Sequence, residues 1–329
     1  MTNINLLAQT LQELPIGQFK SLVSKYKSDK FSKGINSWTH LVSMLFCHLG
    51  HANSVRDITG GIRSITGNIN HLGIERVPSK SSLSYINKHR DANLFREYYF
   101  KVLEHLQHKF TPMRVELGKL KRKLYILDAS ILPLCLSLFD WAQYRSNKGA
   151  AKLHLLLDYD GCLPSFFCMT DGKVYEIKIT RSLTLPKGSV ITFDKAYLDY
   201  EWLNKLDSNE VYFVTRAKAN MAFEVITQHI SPDHPQGNVL ADNDIMLSIP
   251  NARKNYSKKL QYIVYLDSKS NKEYIFITSN HYWKAQTVAD SYKQRWHIEV
   301  FLKQLKQQMC VKSFVELQKI QSKSRYGQQ

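Results

Sequence analysis

The sequence predicts an α/β (α+β) protein: an α-helical amino-terminal region, then a mixed sheet with flanking helices. Three observations carry this. Apolar residues recur at helical spacing up to about residue 110 and at strand spacing after it. The strand-like runs form first a hairpin and then a strand–helix–strand unit. The chain has 329 residues, 43% of them hydrophobic, enough for one large domain or two medium ones with a packed core, which excludes wholesale disorder.

Taken in order, Leu11, Leu14, Phe19, Leu22 and Val23 fall at helical spacing, and Ser37 is a candidate cap for a second helix over residues 38–49. Residues 53–67 read as a short helix closed by glycine. Val77-Pro78-Ser79-Lys80-Ser81-Ser82 is a polar break, after which Leu83, Tyr85, Ile86 and His89 return to a helical pattern. That stretch carries Asn87, Lys88, His89 and Arg90, and reads either as a recognition helix for DNA or as an ordinary solvated helix. A longer amphipathic helix follows over residues 95–108. A boundary falls at residues 111–123, where Pro112 precedes a basic run ending in Lys121, Arg122 and Lys123.

Past that boundary, residues 124–127 are a buried strand, and residues 152–158 and 163–169 flank a Tyr-Asp-Gly turn as a hairpin. Residues 190–193 and 211–215 are further strands, with a helix over 200–206 between them. Strands continue from Arg216 to about Asn280, including residues 261–266 and 274–278, as a β-rich insertion at about 216–280. A long helix over 287–309 comes last. The expected domains are therefore a helical one over 1–110 and a sheet-containing one over 111–329, and no fixed-period repeat suggests a solenoid.

Composition narrows the partners. Lys and Arg number 45 against 28 Asp and Glu, a net charge of +17, which attracts a polyanion. Apolar runs such as residues 131–138 are broken by Pro133 and polar residues, far short of the roughly 18–20 residues needed to span a bilayer, so no membrane partner is expected. The first residues lack a basic stretch and a small-residue cleavage site, and the five cysteines (Cys47, Cys135, Cys162, Cys168 and Cys310) are scattered without a CxxC. Reduced structural thiols in a cytoplasmic protein are the expectation. There is no phosphate loop, no GxGxxG, no GxSxG, no HExxH and no zinc-spaced pair of Cys/His doublets, so a nucleotide cofactor, serine-type acyl transfer and structural zinc lose support.

Three carboxylates stand out by position. Asp128 ends the first strand in Leu-Asp-Ala-Ser, and Asp194 ends the strand over 190–193 in Phe-Asp-Lys-Ala-Tyr. Acids at strand ends either line a site or cap a turn. Glu299 lies on the last helix, four residues before Lys303, an ordinary ion-pair spacing. Together, in a basic chain, three such acids could hold two divalent ions about 4 Å apart, the arrangement that activates the attacking oxygen and stabilises the leaving one in phosphodiester chemistry. Without metal, that concentration of negative charge is expected to repel DNA.

Tyr292-x2-Arg295-x3-Glu299-x6-Lys306 reproduces the YREK signature, and the chain resembles the IS4 family of bacterial insertion-sequence transposases. Asp128 and Asp194 are similar to that family's first and second catalytic aspartates. The resemblance implies a ribonuclease H-like core in which Asp128, Asp194 and Glu299 bind two Mg²⁺ ions, with Mn²⁺ able to substitute, and a β-rich insertion before the glutamate helix. It implies phosphate contacts from Tyr292, Arg295 and Lys306, placed along one face of a single helix. Ser82-x-Ser84-Tyr85-x2-Lys88-His89-Arg90 resembles the helical DNA-binding domain of one subgroup, which makes Lys88 and Arg90 candidate DNA contacts. Double-stranded DNA, as transposon ends and as target, is the implied partner, bound by a homodimer at the bacterial nucleoid. Some members trap a flipped base on an aromatic of the insertion, for which Tyr262, Tyr265, Tyr274 and Trp283 are candidates.

The resemblance runs to about Val315 and then gives way to a short polar, basic tail in place of further helices. A truncated or frameshifted copy is the corresponding expectation, and with it a second reading: a catalytically impaired protein that binds ends and inhibits transposition.

Overall fold

The computed structural model describes residues 2–32, 34–52, 54–65, 69–109, 122–134, 143–145, 148–161, 163–171 and 177–308. Gly67, Cys135, Cys162, Cys310, residues 111–121 of the expected boundary and the tail from Met309 lie outside them. The chain divides into two compact units, one holding residues 1–111, 132–150 and 303–329, the other residues 112–131 and 151–302.

The amino-terminal helices are α1 (Thr2–Gln12), α2 (Ile16–Tyr26), α3 (Ser37–Leu49), α4 (Val55–Ser64), α5 (Lys80–His89) and α6 (Ala92–Lys109). Leu7, Leu11, Val42, Ile58, Ile62, Leu72 and Leu83 form one apolar core among α1, α3, α4 and α5. Phe19 and Leu22 of α2 pack on Leu94 and Tyr98 of α6 in another. Trp38 touches both, edge-on to Phe19 at 5.5 Å, with its indole Nε1 donating to the Leu72 carbonyl at 2.8 Å. Gly73 has to be glycine here: its φ is +68°, and a Cβ would sit 2.7 Å from the Trp38 Nε1. Side-chain oxygens of Asn36, Ser54 and Ser79 cap α3, α4 and α5. The cap of α3 is thus Asn36 rather than Ser37. Ser37 is the first helical residue, and it is buried with its hydroxyl on Asp29 at 2.7 Å.

The second half holds β1 (Leu124–Leu134), β2 (Gln143–Arg145), β3 (Lys148–Asp158), β4 (Leu163–Asp171), α7 (Ile177–Thr180), β5 (Val190–Phe193), α8 (Tyr200–Ser208), β6 (Tyr212–Arg216), β7 (Phe223–Ile230), β8 (Val239–Leu247), α9 (Pro250–Asn255), β9 (Leu260–Asp267), β10 (Lys272–Thr278), α10 (Ala285–Lys293) and α11 (Trp296–Gln308). The sheet runs β3-β1-β5-β6-β10-β9-β8-β7, with β4 antiparallel on β3 and β2 antiparallel to the start of β3. β1, β5 and β6 pair in parallel, and β5 is buried at all four residues, as befits a central parallel strand. This is the mixed sheet with flanking helices that was expected. α8 covers it with Trp202, Leu203 and Leu206, which pack against Phe193 and Phe213.

The residues over 216–280 are indeed β-rich, and they extend the same sheet, because β10 pairs antiparallel with β6 and passes the ladder on to β9, β8 and β7. The last strand, β7, is exposed at six consecutive residues and irregular in register, which blunts an open edge. The helix expected over 287–309 is two helices. α10 ends at Lys293, and the junction closes with short i→i−3 bonds: Arg295 N–H to Tyr292 O at 2.9 Å, His297 to Gln294 at 3.0 Å and Ile298 to Arg295 at 3.2 Å. Tyr292, Arg295 and Glu299 therefore do not share one uninterrupted helix face.

Candidate active site

The register of the parallel strands builds half of the site. Leu127 of β1 stands beside Phe193 of β5, and Phe193 beside Thr215 of β6. One residue further on, Asp128, Asp194 and Arg216 follow in a row across three adjacent strands. Asp128 lies inside β1, which continues to Leu134, and so does not end it. Asp194 does end β5. Its Oδ1 accepts from the Ala196 N–H at 3.1 Å and caps the short turn Lys195–Tyr197, so its turn-capping role and its place in the site coexist.

Two arginines pair with the acids. Arg295 donates through Nη1 to Asp128 Oδ2 at 2.8 Å and through Nη2 to Glu299 Oε1. Arg216 donates to Asp194 Oδ2 at 2.7 Å. The second oxygen of Asp128 accepts from the Ala129 N–H at 2.8 Å. Burial pushes the Asp128 carboxyl up to about 6, against the pull of Arg295 and Ala129, with the charges of Glu299 and Asp194 adding to the rise. Burial acts on Asp194 the same way, but the hydrogen bonds from Arg216 and Ala196 outweigh it and hold that carboxyl below its ordinary value. The three acids therefore meet two cations, and the site repels a phosphate far less than bare carboxylates would.

Tyr292 is 8% exposed and lies between the cations, its ring 6.0 Å from the Arg216 guanidinium and 5.7 Å from that of Arg295. Its hydroxyl and the Nε of both arginines are buried and form no hydrogen bond among the described residues. Three unspent donors around one spot call for an acceptor. They border a cavity of about 560 Å³ whose walls include Tyr265, Tyr274, Phe276 and Trp296. From the β3–β4 turn, Tyr159 donates to Gln294 Oε1 at 2.8 Å and packs edge-on to His297 at 5.2 Å, which fixes the α10–α11 junction beside Arg295.

The donor set suits a hard divalent ion, since every acidic ligand is a carboxylate oxygen. Among the described residues, no three His, Cys, Asp or Glu side chains are already arranged to hold one. A guanidinium, the cation of Arg295, stands between Asp128 and Glu299 instead.

Comparison with known proteins identifies the family. The family model described as "Transposase DDE domain" matches residues 119–314. The chain belongs to that transposase family. A second model, "Domain of unknown function (DUF4372)", matches residues 2–75. The chain is 28% identical over 195 residues to the "Putative transposase y4zB" of Sinorhizobium fredii, covering 58% of this chain and 54% of that protein. It is 24% identical over 190 residues to the "Probable transposase for insertion sequence element IS5377" of Geobacillus stearothermophilus, covering 58% and 49%. The chain thus spans about half the length of the curated relatives it matches. A solved "piggyBac transposase synaptic complex with hairpin DNA" aligns over 95% of this chain and 71% of its own, at 11% identity and a TM-score of 0.41.

The other residues singled out in this transposase-family sequence part ways. Lys306 is on α11, half-buried and seven residues beyond Glu299. Lys88 is half-buried on α5. Arg90 is no free DNA contact: its side chain is 6% exposed and is spent on Asp29 Oδ1 at 3.3 Å and on the carbonyls of Ile35 at 3.0 Å and Asn36 at 3.2 Å. Of the four candidate aromatics, Tyr265 and Tyr274 line the cavity, while Tyr262 packs on Phe223 and Trp283 on Tyr212. Sequence reasoning missed Arg216, Tyr159 and Trp296. Only Arg216 left a signal, as the charged residue closing an apolar strand next to the one that Asp194 closes. No helix among the described residues is long and apolar enough to cross a membrane.

Proposed function

We propose that this chain cuts and joins DNA as an IS4-type transposase. The observation that supports the proposal is the pairing of acids far apart in sequence with two neighbouring cations: Arg295 bridges Asp128 and Glu299, and Arg216 holds Asp194 on the strand beside that of Asp128. The reaction begins with water attacking the phosphodiester at a transposon end, which breaks the bond to the 3′ oxygen and frees a 3′-OH. That hydroxyl then attacks a target phosphodiester, forming one P–O bond and breaking another, with no external energy source. Asp128, Asp194 and Glu299 would hold two Mg²⁺ ions, or Mn²⁺ in their place. When bound, such ions supply activation of the attacking oxygen and neutralise charge on the leaving one.

The chain's own groups then position the strand. Tyr292, Arg295 and Lys306 hold backbone phosphates near the end, and Lys88 on α5 adds a contact from the helical region. The cavity beside Tyr292 is wide enough and aromatic enough to take an unstacked base, with Tyr265, Tyr274 and Trp296 as stacking partners. Two ends must be brought together, so the working form is a homodimer on double-stranded DNA, in the bacterial cytoplasm at the nucleoid.

The test is cleavage of end-bearing supercoiled DNA with Mg²⁺ or Mn²⁺. Asp194→Asn keeps a turn-capping oxygen but loses the charge, and should lose at least about 100-fold in rate. Equal cleavage by the wild type and this variant overturns the proposal.

A further inference from the structure

We infer that Arg295 is an internal counter-ion occupying the metal's place, so that DNA and metal load together: a phosphate draws the guanidinium off, and the ions take the carboxylates it leaves. This rests on the reading of Asp128, Asp194 and Glu299 as metal ligands. The argument is one of occupancy. Arg295 spends two of its donors on Asp128 and Glu299, and its side chain is only 16% exposed. Both oxygens of Asp128 and both of Asp194 already accept hydrogen bonds, from Arg295 and Ala129 and from Arg216 and Ala196. A divalent ion arriving between Asp128 and Glu299 meets a fixed positive charge at close range in a poorly solvated site, where the repulsion is strong. The ion and the guanidinium are therefore exclusive occupants.

Something must also make leaving favourable for the arginine, and the surroundings are prepared for that. Arg295 Nε and the Tyr292 hydroxyl are buried donors with no acceptor among the described residues, and the Tyr292 ring lies 5.7 Å from the guanidinium. A phosphate oxygen beside Tyr292 satisfies donors that the protein leaves idle, and offers the guanidinium a bidentate partner in place of the carboxylates. In the DNA-free protein the same contact offsets the repulsion between Asp128 and Glu299. The consequence is a coupling between two ligands, and such coupling is reciprocal: DNA tightens metal binding by the factor by which metal tightens DNA binding.

The experiment measures Mn²⁺ binding to the full chain by calorimetry and by electron paramagnetic resonance. It is run with and without a short random-sequence duplex at low salt, for the wild type, Arg295→Gln and Glu299→Gln. The wild type should bind Mn²⁺ weakly alone and about 10-fold more tightly with duplex. Arg295→Gln should bind Mn²⁺ tightly without duplex, with little further gain on adding it. Thermal melts guard against misfolding: Arg295→Gln should melt early without metal and recover on adding Mn²⁺, whereas the wild type should barely respond. Mn²⁺ binding that is equal in the wild type and Arg295→Gln, and lost in Glu299→Gln, overturns the counter-ion role and leaves the metal cage standing. Absence of Mn²⁺ binding in every sample, duplex included, overturns the cage and the counter-ion role together.

Discussion

Arg90 and Lys88 stand two residues apart in one basic stretch, and burial separates their roles. Arg90 fastens the segment around Asp29, Ile35 and Asn36, so Arg90→Ala should destabilise the protein by about 2–3 kcal/mol in urea melts, with DNA binding lost only as folding is lost. Lys88→Ala should leave the melt unchanged and weaken DNA binding with a shallower salt slope. A sequence shows two nearby cations and not which one is already paired. His40 was equally unmarked. It is 4% exposed, edge-on to Phe95 at 5.1 Å, and burial lowers its imidazole to about 4, with the charge of Arg90 helping. The unfolded chain takes up that proton near 6.5 and the folded chain only near 4, so the stability is fully present above 6.5 and is lost as pH falls toward 4. By pH 4 the loss should reach about 3 kcal/mol. His40→Phe should flatten that stretch of the stability–pH curve, as followed by denaturant unfolding. The acids, by contrast, stood out by position in the sequence, although the one after Val-Ile-Thr-Phe, Asp194, also has a structural reason to be there as the cap of a turn.

Among the elements, the strands were read best. Residues 190–193 matched β5 to the residue, and the hairpin β3–β4 turned where Tyr159-Asp160-Gly161 lies, because buried parallel strands and tight turns are written in local composition. The break between α10 and α11 was illegible. Tyr292-Lys-Gln-Arg-Trp-His-Ile-Glu299 contains no proline or glycine, and every residue tolerates a helix. The cause is tertiary: Tyr159, 135 residues before Gln294 in the chain, reaches from another element to hold Gln294 and His297. The junction aims Arg295 at Asp128, and a misplacement of about 1 Å can cost roughly 100-fold in rate. Tyr159→Phe removes one hydroxyl and keeps the ring. It should cost about 1 kcal/mol of stability and lower the cleavage rate by roughly 10-fold or more, with duplex affinity nearly unchanged. Equal loss of affinity and rate would place Tyr159 in DNA binding instead of in positioning.

For the whole chain, charge is the property that composition gives without any structure. A net +17 reads as an appetite for polyanions, and DNA is the polyanion that the proposed function names. What composition leaves out is how many cations are already neutralised. Arg90, Arg181, Arg216 and Arg295 are each paired with carboxylates, so the number free to meet phosphates is smaller than the count suggests. Salt dependence reads that smaller number directly, because each phosphate neutralised adds about 0.9 to the slope of log affinity against log salt. If the strand is gripped by about 6–10 cations, affinity should fall by roughly 10³ to 10⁵ between about 50 and 200 mM salt. Substituting Lys306 by Ala should reduce that slope by about one, whereas Arg90→Lys, which keeps the charge in a buried pair, should leave it alone. Fluorescence anisotropy on one duplex across a salt series decides this, and a slope near zero would mean that the positive charge serves something other than the backbone of DNA.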